Sequence, residues 1–166
     1  MSAAKISVAK KAVKYIESKI SRETVLGIGT GSTVNFFIEE LGSLKHHFKG
    51  AVSSSNASSE LLNNKGIEVF SLNDVNEVEF YIDGADEVTP ENFLIKGGGG
   101  AHTREKIVAA ASNKFICIID KTKLVNKLGA EQITAQLKKS GFKKALTTTR
   151  HHLEILKEAE LIEVVK

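Results

Sequence analysis

Apolar residues along this chain alternate between a helical and an extended rhythm. Ile6, Ala9, Val13, Ile16 and Ile20 recur at helical spacing among Lys5, Lys10, Lys11, Lys14 and Lys19, which predicts an amphipathic first helix rather than the apolar core of a secretory signal. Thr24–Ile28 is a short apolar strand ending in Gly29-Thr30-Gly31-Ser32-Thr33, after which Val34, Phe37, Ile38 and Leu41 mark a second helix. The unit then repeats. Lys49–Val52 leads through Ser53-Ser54-Ser55-Asn56, which offers several N-cap candidates, into a helix reaching about Lys65-Gly66. Ile67–Phe70 and Val78–Ile82 read as the third and fourth strands, a helix from about Thr103 to Ser112 follows, and Phe115–Ile119 is the fifth and most apolar strand. Pro90 falls in the loop Val88–Asn92, where it interrupts nothing.

Strands of four to six residues alternating with helices predict an α/β fold: an open, mostly parallel, Rossmann-like sheet with flanking helices. Ligands of such sheets bind beyond the carboxyl ends of the strands. The glycine turn, the serine run and the cluster Asp83-Gly84-Ala85-Asp86-Glu87 all fall at that edge.

Composition narrows the function classes. The chain has 166 residues, 42% hydrophobic and 26% charged, with no apolar run long enough for a membrane span. The single cysteine, Cys117, lies inside an apolar strand, so neither a disulfide framework nor a cysteine metal site is available, and a reducing cytoplasm fits. A net charge of +3 is too small for a protein coated in nucleic acid and leaves room for an anionic small molecule.

The chemistry-bearing residues form three clusters. Gly29–Thr33 offers backbone N–H groups and hydroxyls at a helix N-terminus, suited either to a phosphate or simply to a capped turn, and it lacks both the Walker lysine and the dinucleotide fingerprint. Asp83, Asp86 and Glu87 crowd negative charge at the end of an apolar strand; no histidine pair or regular oxygen-ligand loop marks them as a metal site. Lys96 is followed by Gly97, Gly98, Gly99 and Gly100, which contribute no side chains to a core and cost about 0.5–1 kcal/mol each relative to alanine. Such a loop can lie against a ligand and donate several N–H groups. Glu105 falls in the first turn of the next helix, where the dipole would lower its pKa and burial in a cleft would raise it. A carboxylate beside a lysine and an amide-rich loop is what proton abstraction next to a carbonyl requires. Lys123 follows the fifth strand at the same edge, and His102 has no assigned role.

Together with Thr103-Arg104-Glu105-Lys106 and Asp120 through Lys123, these motifs resemble type A ribose-5-phosphate isomerase over roughly residues 1–128, in order and at matching separations. The resemblance implies interconversion of ribose 5-phosphate and ribulose 5-phosphate in the pentose phosphate pathway, with no metal or organic cofactor, by a cytoplasmic homo-oligomer. It implies that Glu105 shuttles a proton between C1 and C2 while Lys96 and the amides of Gly97–Gly100 steady the enediolate. Asp83 and Asp86 would hold hydroxyls and assist ring opening. Thr30, Gly31, Ser32 and Thr33 would bind substrate, with Lys123 and Lys10 near its phosphate. His102 stands where the family has an apolar residue.

The tail is expected to differ. That family continues into a small α/β domain, whereas residues 129–166 here read as a helical segment: Glu131–Lys139 as a short helix, and Thr147–Val165 as the recognition helix and first wing strand of a partial winged helix-turn-helix, with Leu153, Leu156 and Ala159 inward. From Ala130 onward seven Lys/Arg stand against five Asp/Glu, weak support for DNA binding. The alternative function is thus a sugar-phosphate-sensing transcriptional regulator, although such sensors can lose the catalytic base and this chain has Glu105.

Overall fold

The computed structural model describes residues 2–129 and 162–165. Six strands form one parallel sheet in the order β3-β2-β1-β4-β7-β8. They are β1 (Val25–Ile28), β2 (Gly50–Ser53), β3 (Val69–Phe70), β4 (Val78–Asp83), β7 (Ser112–Ile118) and β8 (Ile162–Val165). The helices are α1 (Ser2–Glu17), α2 (Ser32–Leu41), α3 (Asn56–Asn64) and α4 (His102–Ala110).

Both faces of the sheet are covered, which is why its central strands read as continuous apolar runs. Leu26, Ile28, Phe80, Ile82, Ile116 and Ile118 point to one side, where Ala9, Ala12, Val13 and Ile16 of α1 and Val34, Phe37, Ile38 and Leu41 of α2 pack on them. Tyr81, Phe115, Cys117 and Ile119 point to the other, against Val108 of α4 and against Val88 and Leu94. Gly27 lies under this second layer: a Cβ there would come within 2.9 Å of the Tyr81 ring and 3.0 Å of Val108. The missing side chain lets α4 seat on the sheet.

The chain order makes a switch point. From β1 the path runs outward through β2 to β3, then returns to place β4 on the other side of β1. The crossovers after β1 and β4 therefore leave in opposite directions, which is where doubly wound sheets place a crevice beyond the strand ends. At its floor, Gly29 donates its N–H to the Ile82 carbonyl at 2.8 Å. A Cβ on Gly29 would lie 1.9 Å from Asp83 Cγ, so only glycine lets the Asp83 carboxylate occupy this corner.

Several local expectations are revised. The helix expected to run to Ser112 ends at Ala110, because Ser112 turns its hydroxyl back to the Val108 carbonyl at 2.7 Å and starts β7 opposite Val78. The run Ala109-Ala110-Ala111 contains nothing that would mark this break in sequence. An antiparallel hairpin of β5 (Glu87–Val88) and β6 (Leu94–Ile95) flanks the loop that holds Pro90. Its strands are two residues each, too short to display an alternation. Ser55 is the N-cap of α3, its Oγ accepting from the Ser58 N–H at 3.1 Å.

The strand expected at residues 161–165 forms as β8 and runs parallel beside β7 in the main sheet, instead of opening a separate wing. The expected helices of the tail lie outside the described residues. Among the described residues no helix is long and apolar enough to cross a membrane.

Gly27→Ala should destabilise the fold by about 1–3 kcal/mol, the usual cost of forcing extra volume into a packed core. Urea denaturation checks this, and a midpoint equal to that of the unsubstituted protein would show that α4 does not depend on the bare backbone.

Candidate functional site

Asp83 is the last residue of β4 and has no exposed surface. An isolated carboxylate in such a place would cost several kcal/mol. It is instead held by four donors. Oδ1 accepts from Gly84 N at 2.7 Å and Thr30 N at 3.2 Å, while Oδ2 accepts from the Tyr81 hydroxyl at 2.6 Å and Lys96 Nζ at 2.8 Å. Thr30 is thereby placed by its backbone, and its Oγ1 accepts from Ser55 Oγ at 3.2 Å.

Lys96 follows β6, so the hairpin missed in the sequence is what delivers it. Its ammonium donates to Asp83 Oδ2 and, at 2.6 Å, to the Gly84 carbonyl, and lies 3.5 Å from Glu105 Oε2. One cation thus joins two buried carboxylates that the chain separates by 22 positions. Burial by itself would depress the Lys96 ammonium, but the charges of Asp83 and then Glu105 outweigh it and hold its pKa above the usual lysine value.

Glu105 lies in the first turn of α4 and is 5% exposed. Its Oε2 is buried without a hydrogen-bond partner. Burial raises its pKa above the usual glutamate range, opposed by Lys96 and reinforced by the negative charge of Asp83. The two influences left open by the sequence are therefore decided for burial. A raised carboxylate, reachable by a cation and otherwise unpartnered, has the properties of a proton-transfer group.

The glycine loop is anchored rather than loose. Asp86 accepts from Gly98 N at 2.8 Å, and a Cβ on Gly98 would meet that carboxylate at 2.7 Å. Gly97 (φ +92°) and Gly100 (φ +83°) take left-handed conformations that favour glycine, closed by the bond from Gly100 N to the Gly97 carbonyl at 3.0 Å. Gly99 is exposed. His102 packs against Gly97, so a side chain larger than hydrogen at position 97 would collide with it. Glu87 is turned elsewhere, accepting from Gly129 N at 2.6 Å.

A second, basic corner forms around α2. Gly31 (φ +106°) caps the helix without a side-chain acceptor, so the first-turn N–H groups of the helix that begins Ser32-Thr33 receive no side-chain cap from it. Lys5 of α1 donates to Ser32 Oγ at 2.6 Å. Asp120 accepts from the Thr122 N–H and hydroxyl; these bonds hold its carboxyl below the usual range, and Lys5 and Lys123 add to the effect. Lys5 thus touches Ser32, and both Lys5 and Lys123 act on the charge of Asp120.

Lys10 does not reach it. Its ammonium is 4.0 Å from Glu40, near the opposite end of α2, and its side chain is 63% exposed. The lysine at the turn is Lys5, one and a half helical turns earlier. The signal that could have found it was the helical phase: Lys5 precedes Ala9, Ala12 and Ile16 on the buried side, whereas Lys10 falls on the exposed side. Asp83, expected to hold sugar hydroxyls, lies in the structure with four donors on its carboxylate, one of them the Lys96 ammonium, and with no exposed surface. No group of three or more metal-ligating side chains occurs among the described residues.

Residues 50–159 match the family model of ribose 5-phosphate isomerase A (phosphoriboisomerase A). The chain belongs to that family. It is 53% identical over 125 residues to the ribose-5-phosphate isomerase A of Histophilus somni, covering 75% of this chain and 57% of that one. With the Legionella pneumophila protein of the same name it is 50% identical over 137 residues, 82% of this chain and 62% of the relative. The crystal structure of ribose 5 phosphate isomerase A from Neisseria gonorrhoeae superposes with a TM-score of 0.68 at 50% identity, over 76% of this chain and 55% of that one. The chain thus spans a little more than half the length of these relatives.

Because the pKa of Glu105 is raised in the folded state, the stability linked to its protonated form is present below the ordinary glutamate range and is lost as pH rises through the raised value. Glu105→Gln removes that titration. Its stability relative to the unsubstituted protein should therefore increase in denaturant titrations as pH rises from the ordinary glutamate range through the raised value. A pH-independent difference would show that Glu105 does not titrate in the site.

Proposed function

We propose that this protein is an aldose-ketose isomerase interconverting D-ribose 5-phosphate and D-ribulose 5-phosphate through an enediolate. The observation that carries the reading is the buried, unpartnered Glu105 Oε2 held 3.5 Å from Lys96 Nζ, within a crevice that also presents the glycine loop. Membership of the family supports it, and favours it over a sugar-phosphate-sensing regulator.

In this reading the open-chain aldose lies along the crevice with its phosphate against the first turn of α2, Ser32, Thr33, Lys5 and Lys123. Glu105, as the carboxylate, takes the proton from C2; the electron pair moves to the C1 carbonyl and gives the enediolate. The oxygen that gains charge is met by the Lys96 ammonium and by N–H groups of the glycine loop other than those of Gly98 and Gly100, which are taken by Asp86 and by the Gly97 carbonyl and hold the loop in place before the charge develops. Glu105 then returns the proton to C1 while the hydroxyl proton at C2 moves to the C1 oxygen, which leaves a ketone at C2. Asp83 contributes by fixing Lys96, and Asp86 by fixing the glycine loop. The family resemblance extends the reading to a self-associating cytoplasmic enzyme.

The purified protein should form ribulose 5-phosphate from ribose 5-phosphate, and Glu105→Gln should lower kcat by about 100- to 10,000-fold, the range for loss of a general acid/base, with an unchanged circular dichroism spectrum. Absence of ketose formation by the unsubstituted protein at saturating substrate would remove the isomerase reading. Lys5→Ala should raise KM for ribose 5-phosphate by roughly 10- to 100-fold, the equivalent of one charge-assisted hydrogen bond, while Lys10→Ala leaves it within about twofold. Equal effects of the two substitutions would argue against a phosphate corner at Lys5.

A further inference from the structure

Tyr81 stands two residues before Asp83 on β4, so the two side chains share a face of the sheet. The phenol has no exposed surface, and its ring is stacked on Phe115 with centroids 5.4 Å apart and planes at 26°. That packing fixes the hydroxyl, which donates to Asp83 Oδ2 at 2.6 Å. The same oxygen accepts from Lys96. An ammonium has three N–H bonds. For Lys96, Asp83 takes one and the Gly84 carbonyl another, and Glu105 is the carboxylate next in reach.

We infer that Tyr81 is a positioning residue: by donating to Asp83 Oδ2 it weakens that oxygen's hold on Lys96 and keeps the ammonium shared with Glu105. Two donors on one carboxylate oxygen divide its negative charge between them, so removal of the phenol hydroxyl strengthens the remaining bond. Lys96 is then drawn toward Asp83 and away from Glu105, whose anion loses support. Burial keeps the phenol protonated far above its ordinary pKa, so Tyr81 remains a donor throughout the working range. The other groups acting on this cluster include Ser54, whose hydroxyl side chain acts on the Tyr81 phenol, Asp86, which adds negative charge near Glu105, and Cys117 of β7, whose thiol burial pushes up to about 12 and therefore keeps neutral.

The effect on turnover rests on the isomerase reading, whereas the effect on Glu105 does not. Tyr81→Phe should lower kcat by about tenfold with KM within about twofold, as for loss of a hydrogen bond behind a reacting group. It should also move the acid limb of the rate profile, and the midpoint of Glu105 observed by carboxyl-carbon NMR, to higher pH. The chain has two tyrosines, so 3-fluorotyrosine incorporated in a Tyr15→Phe background labels position 81 alone. As a stronger donor it should move the Glu105 midpoint to lower pH, opposite to phenylalanine. If Tyr81→Phe fails to fold, the fluorotyrosine protein decides the matter by itself. A midpoint unmoved by fluorotyrosine, or moved in the same direction by both changes, overturns the inference, as does a purely thermal destabilisation with kcat and profile unchanged. Midpoints that move as stated in a protein without turnover would sink the isomerase reading and leave the role of Tyr81 standing.

Discussion

The site depends on one ammonium placed between two buried carboxylates. Lys96 has to be there before Asp83 and Glu105 can both lie in a water-poor crevice, since like charges at close range disfavour each other's ionisation. The fold supplies the counterweights. Asp83 is fastened by backbone N–H groups from two loops and by a phenol, and Lys96 is fastened in turn by Asp83 and a carbonyl. Glu105 receives no such set, and this asymmetry leaves one carboxylate fully satisfied and the other with a raised pKa and a buried oxygen without a hydrogen-bond partner.

The arrangement draws on three separate stretches of chain. β4 brings Tyr81 and Asp83, the hairpin of β5 and β6 brings Lys96, and α4 brings Glu105. Glycine makes their approach possible at two points. Gly29 clears the space filled by the Asp83 carboxylate, and Gly27 lets α4 settle on the sheet. The glycine tetrad has a different use, with Gly97 and Gly100 turning the backbone and Gly98 resting on Asp86. The backbone cost of these glycines is thus offset by contacts that a side chain would prevent.

Much of this could be read from the sequence. The strands of the central sheet have apolar residues at nearly every position because both faces are covered, and the helices carry a 3.6-residue apolar stripe because one face is. Asp83, Lys96 and Glu105 stood out because neither core packing nor ordinary capping explains them together. Illegible were features with no periodic signal, the two-residue strands β5 and β6 and the helix end within three alanines; the apolar phase of α1 set Lys10 on its exposed side, but the choice of Lys5 as the lysine at the turn needed more than that phase. That choice depends on the phase of α1 against α2, which is a property of the packed pair.

The sequence by itself determined the α/β alternation, the edge of the sheet at which chemistry gathers, and the residue types available there. Those follow from local propensity and from the need to bury apolar surface, and both are written along the chain. Only the tertiary structure decided which charges touch. It raised the pKa of Glu105 where the helix dipole would have lowered it, gave the Asp83 carboxylate to Lys96 and Tyr81, and put Lys5 at the glycine turn. The physical reason is that Coulomb energy and desolvation vary with distance and burial over a few ångströms, and these are set when distant segments pack together.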